Sequence, residues 1–302
     1  MVSKRVLIVG CGYVGLPLGQ ELARQGHKVF GLRRTASAAQ ELQRAQIEPL
    51  SADITKPETL TALPGNFDWV VNCAATGGGT VADYRQLYAV GNTNLIEWLR
   101  AAPPQKFIYT SSTGVYGQDD GSLVVETDPV TPAAETSKVL VETENLLLRA
   151  YERSNFPAVI LRLAGIYGPG RGYWLKQFVR GEARLDGDGS RYLNMIHLED
   201  LVRAIVTSLE RAPIGSVYNV VDHEPVMQRD LFAWLATKLN RPGPASAATA
   251  AEANRKRGAT NKRVSNLRLR QELGFNCQHP TFREGFTAEL ARMRQNGELS
   301  TA

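Results

Sequence analysis

The sequence contains few cysteines. Cys11, Cys73 and Cys277 are its three cysteines in 302 residues, and none belongs to a Cys-x-x-Cys pair. Neither a disulfide framework nor a cysteine-type zinc site is indicated, so we predict no metal site. This usage is typical of a reducing compartment.

Long apolar segments are also missing. The N-terminal apolar run, Val6 to Val9, is far too short for a signal peptide, and no other stretch approaches a membrane span. The net charge of +5 is distributed among interspersed acidic residues, and no RNA- or DNA-binding signature accompanies it. We therefore expect a cytoplasmic protein that binds neither membranes nor nucleic acid.

The clearest pattern lies in the first 35 residues. A short apolar strand runs directly into Gly10-Cys11-Gly12-Tyr13-Val14-Gly15, which matches Gly-x-Gly-x-x-Gly, and a helix and a second strand at residues 28–32 follow. In such a unit Gly10 allows the tight turn, Gly12 lets the backbone approach a pyrophosphate, and Gly15 lets helix and strand pack closely. Free amides at the helix start, around Tyr13 and Val14, would hold the phosphates. A glycine turn alone often binds nothing, but these flanking elements predict a dinucleotide site.

The end of the second strand indicates which dinucleotide binds. An NAD site places Asp or Glu about 20 residues after the glycines, whereas this chain has Arg33 and Arg34 there. Guanidinium groups suit a 2′-phosphate because they bond phosphate oxygens in pairs. We predict NADP(H) rather than NAD; a solvated loop is the alternative interpretation.

Strands and helices alternate along the rest of the chain. With 43% hydrophobic residues, the chain can bury a large core. The pattern predicts an α/β fold, a doubly wound Rossmann-type parallel sheet with ligands at the C-terminal strand ends. We expect this domain over residues 1–165, with 199–222 returning to the sheet. A smaller C-terminal substrate-binding lobe is expected over 166–198 and 223–302.

The predicted lobe contains two unusual stretches. Residues 242–253 are rich in Pro, Ala and Ser, which indicates a linker or mobile flap. The stretch 253–270 holds seven basic residues and no acidic ones. It is either a solvated face or a clamp for an anionic substrate.

Several motifs follow one another along the chain in a characteristic order. After the glycine-rich start come Asp53-Ile54, Asn72-Cys73-Ala74-Ala75, the segment 110–117, Ser137-Lys138 with Glu142, the segment 161–170 and Ile196-His197-Leu198-Glu199-Asp200-Leu201. Together they resemble the extended short-chain dehydrogenase/reductases, the NAD(P)-dependent epimerase/dehydratase family. The resemblance implies a cofactor site that includes Asp53, Ile54, Ala74 and Ala75, and a small-molecule substrate that is either free or nucleotide-activated.

The resemblance also implies catalytic roles. Ser112 would bond the substrate oxygen, and Lys138 would hold the nicotinamide ribose and lower the pKa of a Tyr four residues before it. Residue 134 is alanine, however, and no Tyr occurs between Tyr116 and Tyr151. Alanine cannot exchange a proton, so the usual general acid/base is missing. The chain resembles an atypical member with an intact cofactor site.

Other side chains are candidates for the incomplete site. Tyr116 is the first choice as a replacement proton relay, and Tyr88 and Tyr167 are expected to shape the substrate site. Each of these aromatics is also suited to packing. His197 is a further candidate for the substrate site, although the polar cluster around it suits the cap of the helix that follows.

Two functions remain open at this level. One is an NADP-dependent oxidoreductase or epimerase acting on a sugar-like or other carbonyl substrate, as a monomer or homodimer. The other is an NADP(H)-binding protein without turnover, which would use cofactor occupancy to alter contacts with a partner.

Overall fold

The computed structural model describes residues 2–245 and 260–299. The chain divides into two compact units, each made of three segments. Unit 1 comprises Met1–Val115, Val130–Arg162 and Val202–Tyr218, and unit 2 comprises Tyr116–Pro129, Leu163–Leu201 and Asn219–Ala302. Within the described residues no helix is long and apolar enough to cross a membrane.

Strands and helices alternate through most of the chain. The strands are β1 (Arg5–Val9), β2 (Lys28–Arg33), β3 (Glu48–Ser51), β4 (Trp69–Asn72), β5 (Lys106–Ser112), β6 (Leu123–Val124), β7 (Ala158–Leu163), β8 (Gly165–Tyr167), β9 (Tyr192–Leu193), β10 (Met195–His197), β11 (Val217–Val220), β12 (Val226–Met227) and β13 (Arg263–Val264). The helices are α1 (Gly15–Arg24), α2 (Ala39–Arg44), α3 (Pro57–Leu60), α4 (Val81–Tyr84), α5 (Gly91–Leu99), α6 (Glu135–Ser154), α7 (Tyr173–Val179), α8 (Leu198–Arg211), α9 (Gln228–Leu239), α10 (Leu267–Leu273) and α11 (Phe282–Gln295).

A seven-stranded sheet organises these elements, in the order β11-β7-β5-β4-β1-β2-β3. Strand β1 pairs in parallel with both β2 and β4, and β2–β3 and β4–β5 are also parallel. The strand order therefore reverses between β1 and β4, which is the switch point of a doubly wound sheet. The predicted α/β fold with a parallel Rossmann-type sheet is confirmed.

The apolar runs of the sequence explain the sheet. Val6, Leu7 and Ile8 of β1 are fully buried, and every residue of β7 is buried. Strands of a parallel sheet are covered on both faces, so they require continuous apolar runs rather than alternation. Each such side chain contributes about 2 kcal/mol by leaving water.

One predicted helix contains an irregular turn. The sequence predicts a helix over 82–101, and the structure has α4 and α5 joined by a π-helical turn, Arg85–Val90. Thr80 caps this helix, because its hydroxyl accepts from the Asp83 amide while the Asp83 carboxylate accepts from the Thr80 amide. Turns of this kind occur often at functional sites.

Unit 2 has its own apolar core. It contains the aromatic residues Phe178, Phe232, Phe282 and Phe286 together with aliphatic side chains from β9, β10, α9 and α11. Unit 2 also includes residues 116–129, which the sequence analysis assigned to the dinucleotide domain. The reason is that β6 pairs in parallel with β13, a partner about 140 residues away in the chain. Part of the predicted linker and Arg255, Lys256 and Arg257 lie outside the described residues.

A buried ion pair connects three elements of unit 1. Nη2 of Arg162 on β7 donates to Glu144 Oε2 on α6 at 2.8 Å, and Ser111 of β5 donates its hydroxyl to Glu144 Oε1 at 2.6 Å. The side chains of Glu144 and Arg162 are only 2% and 6% exposed. Such a pair adds little net stability against an apolar replacement, but removing one charge alone is costly.

We expect Glu144→Gln to lower the free energy of unfolding by about 3 kcal/mol, because it removes the negative charge that faces the buried Arg162. Glu152→Gln, on the exposed side of α6, is the control and should change it by less than about 0.5 kcal/mol. Urea unfolding followed by circular dichroism measures both. Equal stabilities of the two variants would contradict the assigned role of the ion pair.

Candidate functional site

The glycine-rich turn brings two strand ends into close contact. Gly10 has φ of +80°, and a β-carbon built on it would lie 2.5 Å from the Cα and N atoms of Ala74 after β4. At Gly15 a β-carbon would lie 2.7 Å from the Gly10 carbonyl oxygen. At Gly12 a β-carbon would meet no atom of the described residues within 4 Å. Two of the three glycines therefore permit packing, whereas Gly12 borders open space.

The first turn of α1 faces this open space without a protein cap. Val14 occupies the N-cap position, and no side chain among the described residues hydrogen-bonds there. The Leu16 amide donates to the Gly12 carbonyl oxygen at 2.8 Å, and Pro17 has no amide hydrogen. The attraction for an anion here comes mainly from the positive end of the helix dipole. This end of α1 can therefore bind a phosphate group.

Arg33 lies beside the glycine-rich turn. Its Nε donates to the carbonyl oxygen of Cys11, and its Nη1 lies 2.9 Å from Glu41 Oε2 on α2. Arg34 is exposed, and the hydroxyls of Thr35 and Ser37 lie 3.0 Å apart just beyond it. A shallow cavity of about 100 Å³ adjoins these residues, lined by Arg33, Thr35, Ala39, Leu42, Pro49, Leu50 and Ser51.

The loops after β3 and β4 are fixed by hydrogen bonds of their own. The Asp53 carboxylate accepts from both the amide and the hydroxyl of Thr55, at 3.0 and 2.8 Å. Asp53 therefore shapes its own turn. Ile54 is buried and packs against Gly91, where a β-carbon would lie 2.7 Å from Ile54 Cδ1.

A chain of amide groups fixes the loop after β4. Asn72 accepts from the Ala74 amide at 3.1 Å and donates to Asn92 Oδ1 at 3.0 Å, and Asn92 donates to the carbonyl oxygen of Tyr88 at 2.7 Å. Ala74 is half-buried, and Ala75 beside it is exposed. The network joins the predicted cofactor loop to the π-helical turn that carries Tyr88. Burial raises the pKa of the Tyr88 hydroxyl, which therefore stays protonated at neutral pH.

Two thiols near the turn are unreactive. Burial is the main reason that the pKa values of both Cys11 and Cys73 are raised to about 12, and the nearby Arg33 only partly offsets it for Cys11. Because the thiolate is the nucleophile and metal ligand, neither cysteine is suited to those roles at neutral pH.

Ser112 ends β5 beside a second hydroxyl. Its Oγ accepts from the Gly114 amide at 3.0 Å, which leaves its hydrogen to donate. A β-carbon built on Gly114 would lie 3.2 Å from Ser112 Oγ and 3.5 Å from Ser137 Oγ, so both hydroxyls flank Gly114. Lys138 follows Ser137 on α6, and its Nζ donates to Glu135 Oε1 at 2.6 Å. Ala134 is the exposed N-cap of α6, with extended backbone.

The three candidates in unit 2 are buried. The Tyr116 hydroxyl donates to Asn219 Oδ1 at 2.8 Å, and Tyr116 is fully buried. Tyr167 is 2% exposed, and its hydroxyl has no hydrogen-bond partner among the described residues. His197 is also 2% exposed, and its Nδ1 accepts from the Glu199 amide at 3.3 Å, which supports the helix-cap interpretation. These positions favour packing over direct contact with a substrate.

Sequence reasoning missed several neighbours of the site. Glu41, the partner of Arg33, and Asn92, which bonds Asn72, belong to no recognisable local motif. Ser137 belongs to the Ser137-Lys138 pair of the family motif, which assigns it no role of its own. The position of Ser137, one residue before Lys138 on a helix, could have indicated a site residue. Its approach to Gly114, however, depends on how α6 packs.

The fold and this loop geometry define a dinucleotide-binding α/β protein of the short-chain dehydrogenase type. The model of the NAD dependent epimerase/dehydratase family matches residues 6–220. The chain therefore belongs to the NAD dependent epimerase/dehydratase family.

Similar proteins match over nearly the whole chain. Protein YeeZ of Escherichia coli (strain K12) is 29% identical, over 92% of this chain and 97% of its own. The 3-diazoavenalumate denitrifying reductase of a Streptomyces species is 27% identical, over 94% of this chain and 100% of its own. The UDP-glucose 4-epimerase of Thermotoga maritima, solved with UDP-glucose, has a TM-score of 0.80 at 20% identity, covering 97% of this chain and 99% of its own. The last similarity shows the fold alone.

Two glycine substitutions separate packing from cofactor binding. We expect Gly12→Val to keep native stability and lose binding of NADPH and NADH, because its side chain enters the open space beside α1. Gly10→Ala should instead lose about 2 kcal/mol of stability, because its backbone is left-handed and its β-carbon would overlap Ala74. Thermal unfolding and isothermal titration measure the two effects. Undiminished NADPH binding by folded Gly12→Val would show that the phosphates bind elsewhere.

Proposed function

We propose that the chain is an NADP(H)-dependent oxidoreductase that acts on a carbonyl or hydroxyl substrate. The observation that carries this proposal is the open space at Gly12 in front of the uncapped first turn of α1. When bound, NADPH supplies a hydride to a substrate carbonyl. The residues of this chain bind and orient the cofactor and hold the substrate oxygen.

Preference for the phosphorylated cofactor rests on the end of β2. Arg33 and Arg34 stand where an acidic residue would bond a ribose 2′-hydroxyl, and Thr35 and Ser37 add hydroxyl donors. Arg33 is already paired with Glu41, whose side chain is 53% exposed. A 2′-phosphate would compete with that carboxylate for the guanidinium. Glu41 therefore weakens the preference.

We expect NADPH to bind at least about tenfold more tightly than NADH, a difference of about 1.4 kcal/mol. Arg33→Ala combined with Arg34→Ala should abolish the difference, whereas Arg44→Ala, an exposed arginine on α2, should leave it unchanged. Glu41→Gln should increase NADPH affinity, because it removes the competing carboxylate. Isothermal titration with both cofactors measures these values, and equal affinities in the native protein would contradict the proposed preference.

Chemistry at the substrate centres on Ser112. We propose that its hydroxyl donates to the substrate oxygen, with Ser137 nearby, and that Lys138 leaves Glu135 to bind the nicotinamide ribose. A carbonyl that accepts hydride also needs a proton, and Ala134 cannot supply it. The Tyr116 hydroxyl is committed to Asn219. Water held by the two serines is therefore the proposed proton source.

The proposed substrate is sugar-like, either free or nucleotide-activated. Unit 2 carries one partly exposed basic side chain that suits an anionic group, Arg191. Lys262 near it is buried, and its Nζ donates to the Tyr116 carbonyl oxygen and the Thr260 hydroxyl, each at 2.9 Å. Arg191 Nη2 lies 3.3 Å from Asp186 Oδ2, and its guanidinium lies 5.7 Å from the centre of the Trp174 ring. Burial, and secondarily Arg191, lowers the pKa of Lys262 to about 8.

A cofactor-binding protein without turnover is the second candidate. The observation that favours it is Ala134, which places a methyl group where this family's proton donor is expected. Cofactor binding would then serve to change the contacts of the protein with a partner.

Restoring the hydroxyl separates the two candidates. If the chain is an enzyme that lacks only an efficient proton donor, Ala134→Tyr should raise turnover by about 100-fold or more, because a positioned acid/base contributes that much. Ala133→Tyr, one residue earlier, is the matched control and should give no increase. NADPH oxidation is followed with a panel of free carbonyl compounds and UDP- and dTDP-hexoses.

The same assay tests the remaining roles. Ser112→Ala should abolish native turnover while leaving NADPH affinity unchanged, whereas Tyr116→Phe should keep turnover if Tyr116 only packs. A folded Ala134→Tyr protein that binds NADPH and turns over no compound of the panel would favour the non-enzymatic candidate.

A further inference from the structure

Unit 2 contains a cluster of imidazole and carboxylate groups where β10 leads into α8. A ring nitrogen of His197, a carboxylate oxygen of Glu199 and a ring nitrogen of His279 all lie within 4.8 Å of one another. His279 Nε2 and Glu199 Oε2 are 3.1 Å apart, and the centres of the two imidazole rings are 4.0 Å apart. Sequence spacing does not reveal this cluster, because His279 lies about 80 residues after the other two.

The surroundings hold these groups in place. The Asp200 carboxylate accepts from the amides of Gln278 and His279 at 2.6 and 2.8 Å, which fixes the loop that carries His279 to the start of α8. His197 is buried and packs edge-on against Tyr167, with their ring centres 5.2 Å apart. The ligand candidates are therefore positioned before any ion binds, which reduces the entropy lost on binding.

A buried carboxylate stands behind His197. Nε2 of His197 is buried, has no hydrogen-bond partner among the described residues, and lies 3.5 Å from Glu289 Oε1. The other oxygen of Glu289 accepts from Arg292 Nε at 3.1 Å. Metal-binding histidines commonly direct their second ring nitrogen at a carboxylate, which orients the ring and makes it a better ligand. Glu289 is placed for that role if Nδ1 of His197 binds the metal.

We propose that His197, Glu199 and His279 form a binding site for a divalent cation of the zinc class. Two imidazoles and one carboxylate are a ligand set that Zn²⁺ accepts, with a water molecule completing four-coordination. The Glu199 side chain is 60% exposed, so solvent reaches its carboxylate. The three ligand atoms lie within 4.8 Å of one another. Ligand atoms that are each about 2 Å from one metal ion lie closer together than that. Side-chain movement alone can bring them to this spacing.

The charge balance of the site is favourable. The N-terminus of α8 opposes a cation, because the positive end of the helix dipole lies there. The carboxylates of Glu199 and Glu289 offset this effect. Of the two, Glu289 is also paired with Arg292. In exchange for a metal bond, Nδ1 of His197 gives up its long hydrogen bond from the Glu199 amide, 3.3 Å in length.

Titration of the full-length, untagged protein with ZnCl₂ and CoCl₂ tests the site. We expect one Zn²⁺ per chain with micromolar or tighter affinity, visible absorption bands of low-coordinate Co²⁺, and a higher thermal unfolding midpoint with Zn²⁺. Glu199→Gln and His279→Gln should each weaken binding by at least about tenfold. Both side chains reach the surface, so the variants should fold.

Matched controls distinguish this site from general surface binding. Glu210→Gln, at the other end of α8, and His223→Gln should bind Zn²⁺ as the native chain does. The proposal is overturned if the native protein shows no saturable binding, if Glu199→Gln and His279→Gln bind like the native chain, or if the two control variants lose binding equally. These readouts do not depend on the proposed enzymatic activity.

Discussion

The contact between the Gly10 turn and the backbone of Ala74 is the constraint on which the predicted cofactor site depends. It brings the ends of β1 and β4 so close that a methyl group on Gly10 would overlap the backbone of Ala74. The turn can therefore pass between two central strands and enter α1 directly. As a result, Gly12 borders open space beside the start of α1, at the point where the strand order reverses. The amide network from Asn72 to Tyr88 holds the other side of this contact.

Much of this architecture was predictable from the sequence. The strands of the large sheet are short apolar runs with clear ends, and the three glycines occur at the spacing that the turn requires. The π-helical turn was not predictable, because Arg85–Val90 has the same apolar spacing as an ordinary helix. Nor was the place of residues 116–129, because β6 is only two residues long and its partner β13 is far away in the chain.

Site residues were predictable where the backbone determines their position. Gly10, Gly12 and Gly15 act through backbone geometry, and their motif shows it. The pairing of Arg33 with Glu41 and the burial of Tyr116, Tyr167 and His197 depend on neighbours brought together by the fold. A tyrosine next to a recognised motif can therefore be a core residue, and only the surrounding packing distinguishes the two cases.

Unit 1 has more of the groups expected for cofactor binding than of those expected for proton transfer. The groups predicted to bind phosphate are the glycine-rich turn and the start of α1, whose positions are set by the backbone. The groups for proton transfer are few, because Ala134 lies before the first turn of α6 and Lys138 faces Glu135.

The order in which the chain visits the two units limits how this protein can change over evolutionary time. The chain passes from one unit to the other five times, at 115/116, 129/130, 162/163, 201/202 and 218/219. No single cut separates them, so gene fusion or exchange of a contiguous segment cannot replace unit 2 while leaving unit 1 intact. The two units are therefore inherited as one piece, and point substitution or loop insertion can alter unit 2 without breaking the segments of unit 1.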